Sequence, residues 1–121
     1  MNTTDSLEQL RVRLAEFARV RDWEQFHSPK NLSMALIAEA AELVEHFQWL
    51  TEEASYDLPQ QKHREVELEL ADILIFLIRI ADRLGVDLIA AANDKTTLNE
   101  SRYPAEKVRG SARRASEYDA D

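Results

Sequence analysis

Four acidic residues form two pairs whose spacing could create a metal site. Glu39 and Glu42 form one pair, and Glu69 and Asp72 form the other, each at i, i+3. On an α-helix, this spacing places both carboxylates of a pair on one side. An acidic pair on a helix is most often a solvated polar face, so the spacing alone does not establish a functional site.

The surroundings of the two pairs favour metal binding. The first pair borders an apolar stripe, and Asp72 is followed directly by the apolar run 73–78. A lone ionised carboxylate buried there would be costly unless it gained a partner or shifted its pKa. The nearest cationic side chains, Arg64 and Arg79, are about two helical turns away along the chain. A divalent cation neutralises several acids at once, and an all-oxygen ligand set favours Mg²⁺ or Mn²⁺ over zinc.

A ferritin-like di-iron centre is the alternative metal site, and it requires Glu-x-x-His at i, i+3 on two helices. His46 follows Glu42 by four residues, and His63 has no acid three residues before it. The histidine spacing therefore argues against a di-iron centre.

Helical segments must position these acids. Apolar residues at helical spacing predict helices over about 5–20, 29–50, 62–84 and 87–102. The predicted N-caps are Asp5 or Thr4, then Ser28 and Asp87, and Gly85 is the predicted end of the third helix. The chain has two Gly and three Pro in 121 residues, which leaves little material for the turns of a multi-stranded sheet. The expected fold class is all-α, a four-helix bundle.

The chain is long enough for one domain, which we place at residues 1–104. The polar stretch 51–61 contains Pro59 and is predicted to be a loop. Residues 105–121 are mostly charged or small and are predicted to form a disordered tail.

The third predicted helix indicates self-association. Residues 73–78 are apolar around its entire circumference. A helix that is apolar on all sides must be buried on all sides, whereas a bundle of this size leaves one face of each helix in water. We therefore expect a homo-oligomer built around this helix.

The composition limits the expected binding partners and the expected cellular compartment of the protein. The net charge of −8 repels nucleic acid and anionic membranes alike. The absence of cysteine excludes disulfides and thiolate zinc sites, and residues 1–5 do not resemble a signal peptide. The most apolar run, 70–81, is too short to span a membrane and carries charged residues. These features predict a cytoplasmic protein that binds neither nucleic acid nor membrane.

The acid pattern resembles a known superfamily. Glu39-x-x-Glu42, followed after twenty-six residues by Glu69-x-x-Asp72, is similar to the motif of the all-α NTP pyrophosphohydrolases of the MazG superfamily. Three further segments, 21–27, 42–49 and 98–107, resemble the dCTP pyrophosphatase branch. The likeness extends over about residues 5–112.

This resemblance implies a helical bundle, usually tetrameric, that uses Mg²⁺ to convert a dCTP-like nucleotide to its monophosphate and diphosphate. It implies that the four acids hold the metal. It implies a base pocket lined by Trp23, His27 and Trp49, and phosphate contacts from Lys95, Asn99, Arg102 and Tyr103. The four acids and Lys95 are then the candidate catalytic residues.

The residues themselves fit these roles. Lys95, Asn99 and Arg102 are spaced i, i+4, i+7, which places them on one stripe of the fourth helix. Trp23 is expected in a loop, where stacking on a nucleobase is a suitable use of an indole ring. The sequence has no cysteine, no glycine-rich phosphate loop and no serine beside a histidine base. Direct attack by water is therefore favoured over a covalent intermediate.

Two alternatives remain open. One is a broad-specificity or dUTP-type pyrophosphohydrolase, because the acid motif is common to several members of the superfamily. The other is a non-catalytic helical oligomerisation module, which would also have an apolar third helix but would have no need of four acids beside its core.

Overall fold

The computed structural model describes residues 6–113 and 115–118. Its helices are α1 Ser6–Val20, α2 Pro29–Phe47, α3 Glu52–Ser55, α4 Gln60–Leu84, α5 Leu88–Arg102, α6 Ala105–Val108 and α7 Ala115–Tyr118, with a 3₁₀ turn at Glu24–Phe26. No strand occurs in these residues. The all-α fold class predicted from the sequence is confirmed, and the four long helices lie where periodicity placed them.

The helix ends follow local rules. The Ser28 side chain accepts a hydrogen bond from the backbone N–H of Asn31 at 3.1 Å, and Asp87 accepts one from Ala90 at 3.0 Å, as expected of N-caps. Gly85 has φ of +68°, a left-handed conformation that costs glycine little, and it ends α4 as predicted. The predicted cap of α1, at Asp5 or Thr4, lies outside the described residues.

The segment after α2 differs from expectation. The helix ends at Phe47 and not at residue 50, and the stretch predicted as a loop contains the single-turn helix α3. The Thr51 hydroxyl caps α3 by accepting a hydrogen bond from the N–H of Ala54 at 3.1 Å. This cap requires extended backbone at Thr51, so the chain must leave the α conformation of α2 before that residue.

Two compact units divide the chain, Met1–Val86 and Asp87–Asp121. In the first, α4 packs mainly against α2 and also against α1. Its buried apolar residues are Ala18, Leu32, Val66, Ile78 and Ala81. The second unit contains α5, α6 and α7. The described part of the segment 105–121 thus includes two single helical turns, and its role as a tail outside the domain stays a prediction.

One chain does not bury α4 on all sides. Ile78 is buried, but Leu70, Leu74 and Leu77 are 52%, 40% and 40% exposed. Their i, i+4, i+7 spacing makes them one stripe along the helix. A contiguous apolar stripe of this kind usually marks a surface that another molecule covers. Among the described residues, no helix is long and apolar enough to pass through a bilayer.

Candidate active site

The packing of α2 against α4 brings the two acidic pairs together. Oxygen atoms of Glu39 on α2 and of Glu69 and Asp72 on α4 all lie within 4.8 Å of one another. Two ligands on opposite sides of one Mg²⁺ are about 4 Å apart, because each Mg–O bond is about 2.1 Å. Three carboxylates at this separation can therefore share a single cation after a small adjustment of their rotamers.

The electrostatics of the cluster show that the acids repel one another. A hydrogen-bonding contact with Glu39, a second with Glu42 and partial burial together raise the pKa of Glu69 to about 8. One oxygen of Glu39 and one of Glu69 are enclosed without a hydrogen-bond partner. Buried carboxylate oxygens without partners carry a free-energy cost, and either a proton or a cation can relieve it.

The basic residues nearest in sequence do not supply that cation. The Arg64 guanidinium donates to Glu67 at 3.0 Å, and the Arg79 guanidinium donates to Asp82 at the same distance. Both arginines are thus engaged with other acids of α4. The site fits a divalent cation because it combines clustered oxygen ligands with unpartnered, partly buried charge.

Glu42 occupies a different position from the other three acids. It is exposed, and it is not one of the three residues whose oxygens converge, although its carboxyl group contacts that of Glu69. His46 is not one of the described residues whose ligand atoms converge, and its Nδ1 lies 3.3 Å from the Lys62 ammonium and 3.9 Å from Glu65.

The aromatic segment before α2 forms a second feature of the first unit. Trp23 precedes the 3₁₀ turn Glu24–Phe26 and is 44% exposed. Its ring packs edge-to-face on Phe17 and His27, with centroids 5.7 and 6.3 Å away. Trp49, beyond the end of α2, is 87% exposed. Within the described residues, ring contacts join Trp23 to His27 but not to Trp49, and a base pocket formed by the three residues stays a prediction.

The predicted phosphate contacts lie in the second unit. Lys95 and Arg102 are exposed on α5, and Asn99 is half-buried between them. Tyr103 ends the helix and donates its backbone N–H to the carbonyl of Asn99 at 2.8 Å. The helical stripe predicted from the sequence is present, and its contact with phosphate stays a prediction.

Sequence reasoning missed the polar network around Arg79. It treated this arginine only as a distant partner for Asp72, whereas Arg79 is 3% exposed and contacts both Asp82 and His27. Arg11 of α1 reaches the other oxygen of Asp82 at 2.8 Å. The i, i+3 spacing of Arg79 and Asp82 is a local signal that could have revealed their pairing. The contact with Arg11 spans 71 residues and has no such signal.

The family follows from comparison with known proteins. A model of the MazG-like family matches residues 35–117, which include all four acids and make up more than half of the chain. This chain belongs to the MazG-like family. The resemblance seen in the sequence is thereby confirmed.

Individual relatives agree with this family membership. The chain is 46% identical over 109 residues to dCTP pyrophosphatase 1 of Mus musculus and 44% identical over 114 residues to that of Homo sapiens. These alignments cover 88% and 93% of the chain but 64% and 67% of the relatives, so the chain spans about two thirds of their length. A pyrophosphatase from Archaeoglobus fulgidus superposes with a TM-score of 0.79 at 35% identity, covering 86% of this chain and 97% of its own.

A divalent cation should stabilise the folded protein through the acid cluster. At ten times its Kd, Mg²⁺ should raise the Tm by about 3–8 °C, because the cation binds the folded state and relieves repulsion there. Glu69→Gln should remove most of this shift. Glu45→Gln makes the same change at an exposed site on α2 and should preserve it. Equal Mg²⁺ shifts in both variants, measured by thermal melting against EDTA, would contradict a metal site at Glu69.

Proposed function

We propose that this chain is an Mg²⁺-dependent nucleoside triphosphate pyrophosphohydrolase that converts dCTP, or a modified dCTP, to dCMP and diphosphate. The observation that carries this proposal is the convergence of acids from α2 and α4, with unpartnered oxygens on Glu39 and Glu69. Similarity to dCTP pyrophosphatase 1 over most of the chain supports the choice of nucleotide.

The net charge explains why a metal is needed. With a formal charge of −8, the protein repels a triphosphate unless a cation lies between the acids and the substrate. Glu39, Glu69 and Asp72 would hold that cation, with Glu42 beside them. A Mg²⁺ ion held by these acids would supply Lewis-acid polarisation of the phosphoryl oxygens and positive charge to offset the charge that develops on the leaving diphosphate. Mn²⁺ has the same preference for oxygen ligands and is the expected substitute.

Hydrolysis then requires a water molecule, a base and stabilisation of the leaving group. A carboxylate oxygen of the cluster that is not bound to the cation accepts a proton from the attacking water. The water oxygen forms the new bond to phosphorus as the bond to the leaving diphosphate breaks. Lys95 and Arg102 would meet the phosphates, where positive charge matters most as negative charge grows on the leaving group.

Two other functions compete with this proposal. A broad-specificity or dUTP-type enzyme would use the same acids with a different base pocket. A non-catalytic oligomerisation module would have no use for three converging carboxylates, because their repulsion destabilises the fold. A screen of NTPs and dNTPs for release of diphosphate separates all three. A cytoplasmic location stays a prediction.

The metal assignment can be tested at Asp72. Asp72→Asn should lower Mg²⁺-dependent hydrolysis of dCTP about 100-fold or more, because a metal ligand is lost while the side-chain volume is kept. Its helical circular dichroism should be unchanged, and its Tm without metal should be equal or higher because one repulsive charge is gone. Glu67→Gln, an exposed acid of the same helix, is the control. Near-full activity of Asp72→Asn would refute the assignment.

The base pocket can be tested at Trp23. Stacking is present in both the ground state and the transition state, so Trp23→Ala should mainly raise KM. A stacked base contributes about 1–3 kcal/mol, which corresponds to a roughly 5- to 150-fold loss of kcat/KM. Lys95→Ala should instead lower kcat.

Controls for this test are a second aromatic residue and other nucleotides. Tyr56 is 92% exposed, and Tyr56→Ala should leave KM for dCTP unchanged. Rates with dTTP and dATP show whether the effect depends on the base. An equal loss for all three nucleotides would assign Trp23 to packing and leave a general pyrophosphohydrolase.

The exposed stripe on α4 predicts the oligomeric state. We expect a tetramer, or at least a dimer, at micromolar concentration, because assembly buries Leu70, Leu74 and Leu77. Leu74→Glu should shift the sedimentation coefficient to a smaller species. Gln9→Glu adds the same charge at an exposed polar position of α1 and should not. A monodisperse wild-type monomer would show that the stripe has another role.

A further inference from the structure

Arg79 is a buried cation in the C-terminal half of α4. Only 3% of the residue is exposed. Its Nη1 lies 3.0 Å from a carboxylate oxygen of Asp82, and its Nε lies 3.4 Å from Nδ1 of His27. One guanidinium thus joins the core helix to the segment that carries the aromatic residues before α2.

The stability of the fold alone does not explain why an arginine is buried at position 79. Its Nη2 is buried without a hydrogen-bond partner, and a buried donor in this state is destabilising. An apolar residue of similar volume is often as good as or better than a buried charge for the stability of a fold. An apolar residue could reproduce neither the ion pair with Asp82 nor the contact with His27, and of these two contacts the one with His27 reaches a candidate base-binding residue.

The surrounding network holds both ends of that contact. Arg79 donates to one oxygen of Asp82 at 3.0 Å, and Arg11 Nη1 of α1 donates separately to the other oxygen at 2.8 Å. Arg83, one turn beyond Arg79, donates its Nε–H to the backbone carbonyl of His27 at 3.0 Å. The His27 backbone N–H donates a hydrogen bond to the carbonyl of Glu24 at 3.1 Å. The main chain of His27 is therefore held independently of its ring.

The identity of the arginine atom determines the tautomer of the ring. An arginine Nε always carries a proton in proteins, so the Nδ1 that faces it must accept. A neutral imidazole that accepts at Nδ1 carries its proton on Nε2. Burial lowers the pKa of His27, and the positive charges of Arg79 and Arg83 lower it further, against a smaller opposing effect of Glu24. The ring is accordingly neutral near pH 7.

We propose that Arg79 is a positioning residue that locks His27 in the Nε2–H tautomer and so makes it a hydrogen-bond donor for a cytosine base. The part concerning cytosine rests on the proposed function, in which His27 contacts the base. Cytosine presents an unprotonated N3 that accepts a hydrogen bond, whereas thymine and uracil present N3–H. A fixed donor binds the former and meets a second donor in the latter, which discriminates between the pyrimidines.

The tautomer can be measured without any substrate. Long-range ¹H–¹⁵N correlation spectra of the ¹⁵N-labelled chain of 121 residues distinguish protonated from unprotonated ring nitrogens, and His27→Asn assigns the His27 signals by their loss. The wild type should show protonated Nε2 and unprotonated Nδ1. Arg79→Lys keeps a positive charge but loses the fixed Nε–H, so it should show a mixture of tautomers. Arg79→Gln should do the same and serves if the lysine variant folds poorly.

Arg11→Gln is the matched control for the network. It removes the other guanidinium from Asp82 but leaves the contact between Arg79 and the His27 ring in place. It therefore tests whether a change elsewhere in the network is enough to alter the His27 tautomer. Its His27 tautomer should match the wild type. A protonated Nδ1 in the wild type, or unchanged His27 signals in both Arg79 variants, would overturn the positioning role.

Kinetics test the consequence for the base. Arg79→Lys should raise KM for dCTP roughly 2- to 10-fold, the effect of misplacing one hydrogen bond, with kcat close to the wild-type value. Its ratio of kcat/KM for dCTP over dUTP and dTTP should fall, whereas Arg11→Gln should leave both quantities unchanged. An unaltered nucleotide preference in Arg79→Lys would refute the link to cytosine. If the wild type hydrolyses no nucleotide while His27 shows the expected tautomers, the proposed substrate fails and the positioning role stands.

Discussion

Contact between α2 and α4 places like charges within 4.8 Å of one another, and this repulsion is the constraint around which the first unit is organised. Burial of apolar side chains on both helices, such as Leu32 of α2 and Val66 of α4, offsets the repulsion between the acids. The resulting raised pKa of Glu69 and the unpartnered oxygens reflect a free-energy cost stored in the fold. A cation bound as proposed would relieve that cost, since the three acids are already close together.

The two halves of the long helix α4 carry different functional groups. Its N-terminal half carries Glu69 and Asp72 beside the exposed stripe of leucines. Its C-terminal half carries Arg79, Asp82 and Arg83, which fasten α1 and the aromatic segment to the same helix. Two of the three converging acids, Glu69 and Asp72, and the contacts to His27 are thereby carried by the same helix. A site that must place a triphosphate and a base relative to each other benefits from such a common support.

Several apolar residues on α2 and just after it are highly exposed. Met34 and Ile37 on α2 are 60% and 67% exposed, and Trp49 after it is 87% exposed. Among the described residues, an indole with so little cover lacks the neighbours that would make it part of a pocket wall. Covering such exposed apolar surfaces is the role that the proposed oligomer would have.

Periodicity, caps and stop signals determined the fold class and the positions of the long helices, because each depends on residues within one turn of each other. The i, i+3 spacing of the acids likewise predicted that the two carboxylates of each pair share one side of their helix, since this is a property of α-helical geometry. The single turn α3 was missed because a short cap at Thr51 is a weak local signal against a polar background. Which acids converge, and that Glu42 remains exposed, depended on the packing of α2 against α4. The burial of Arg79 and its contact with His27 were decided by tertiary structure alone, because they join residues 52 positions apart that no local pattern relates.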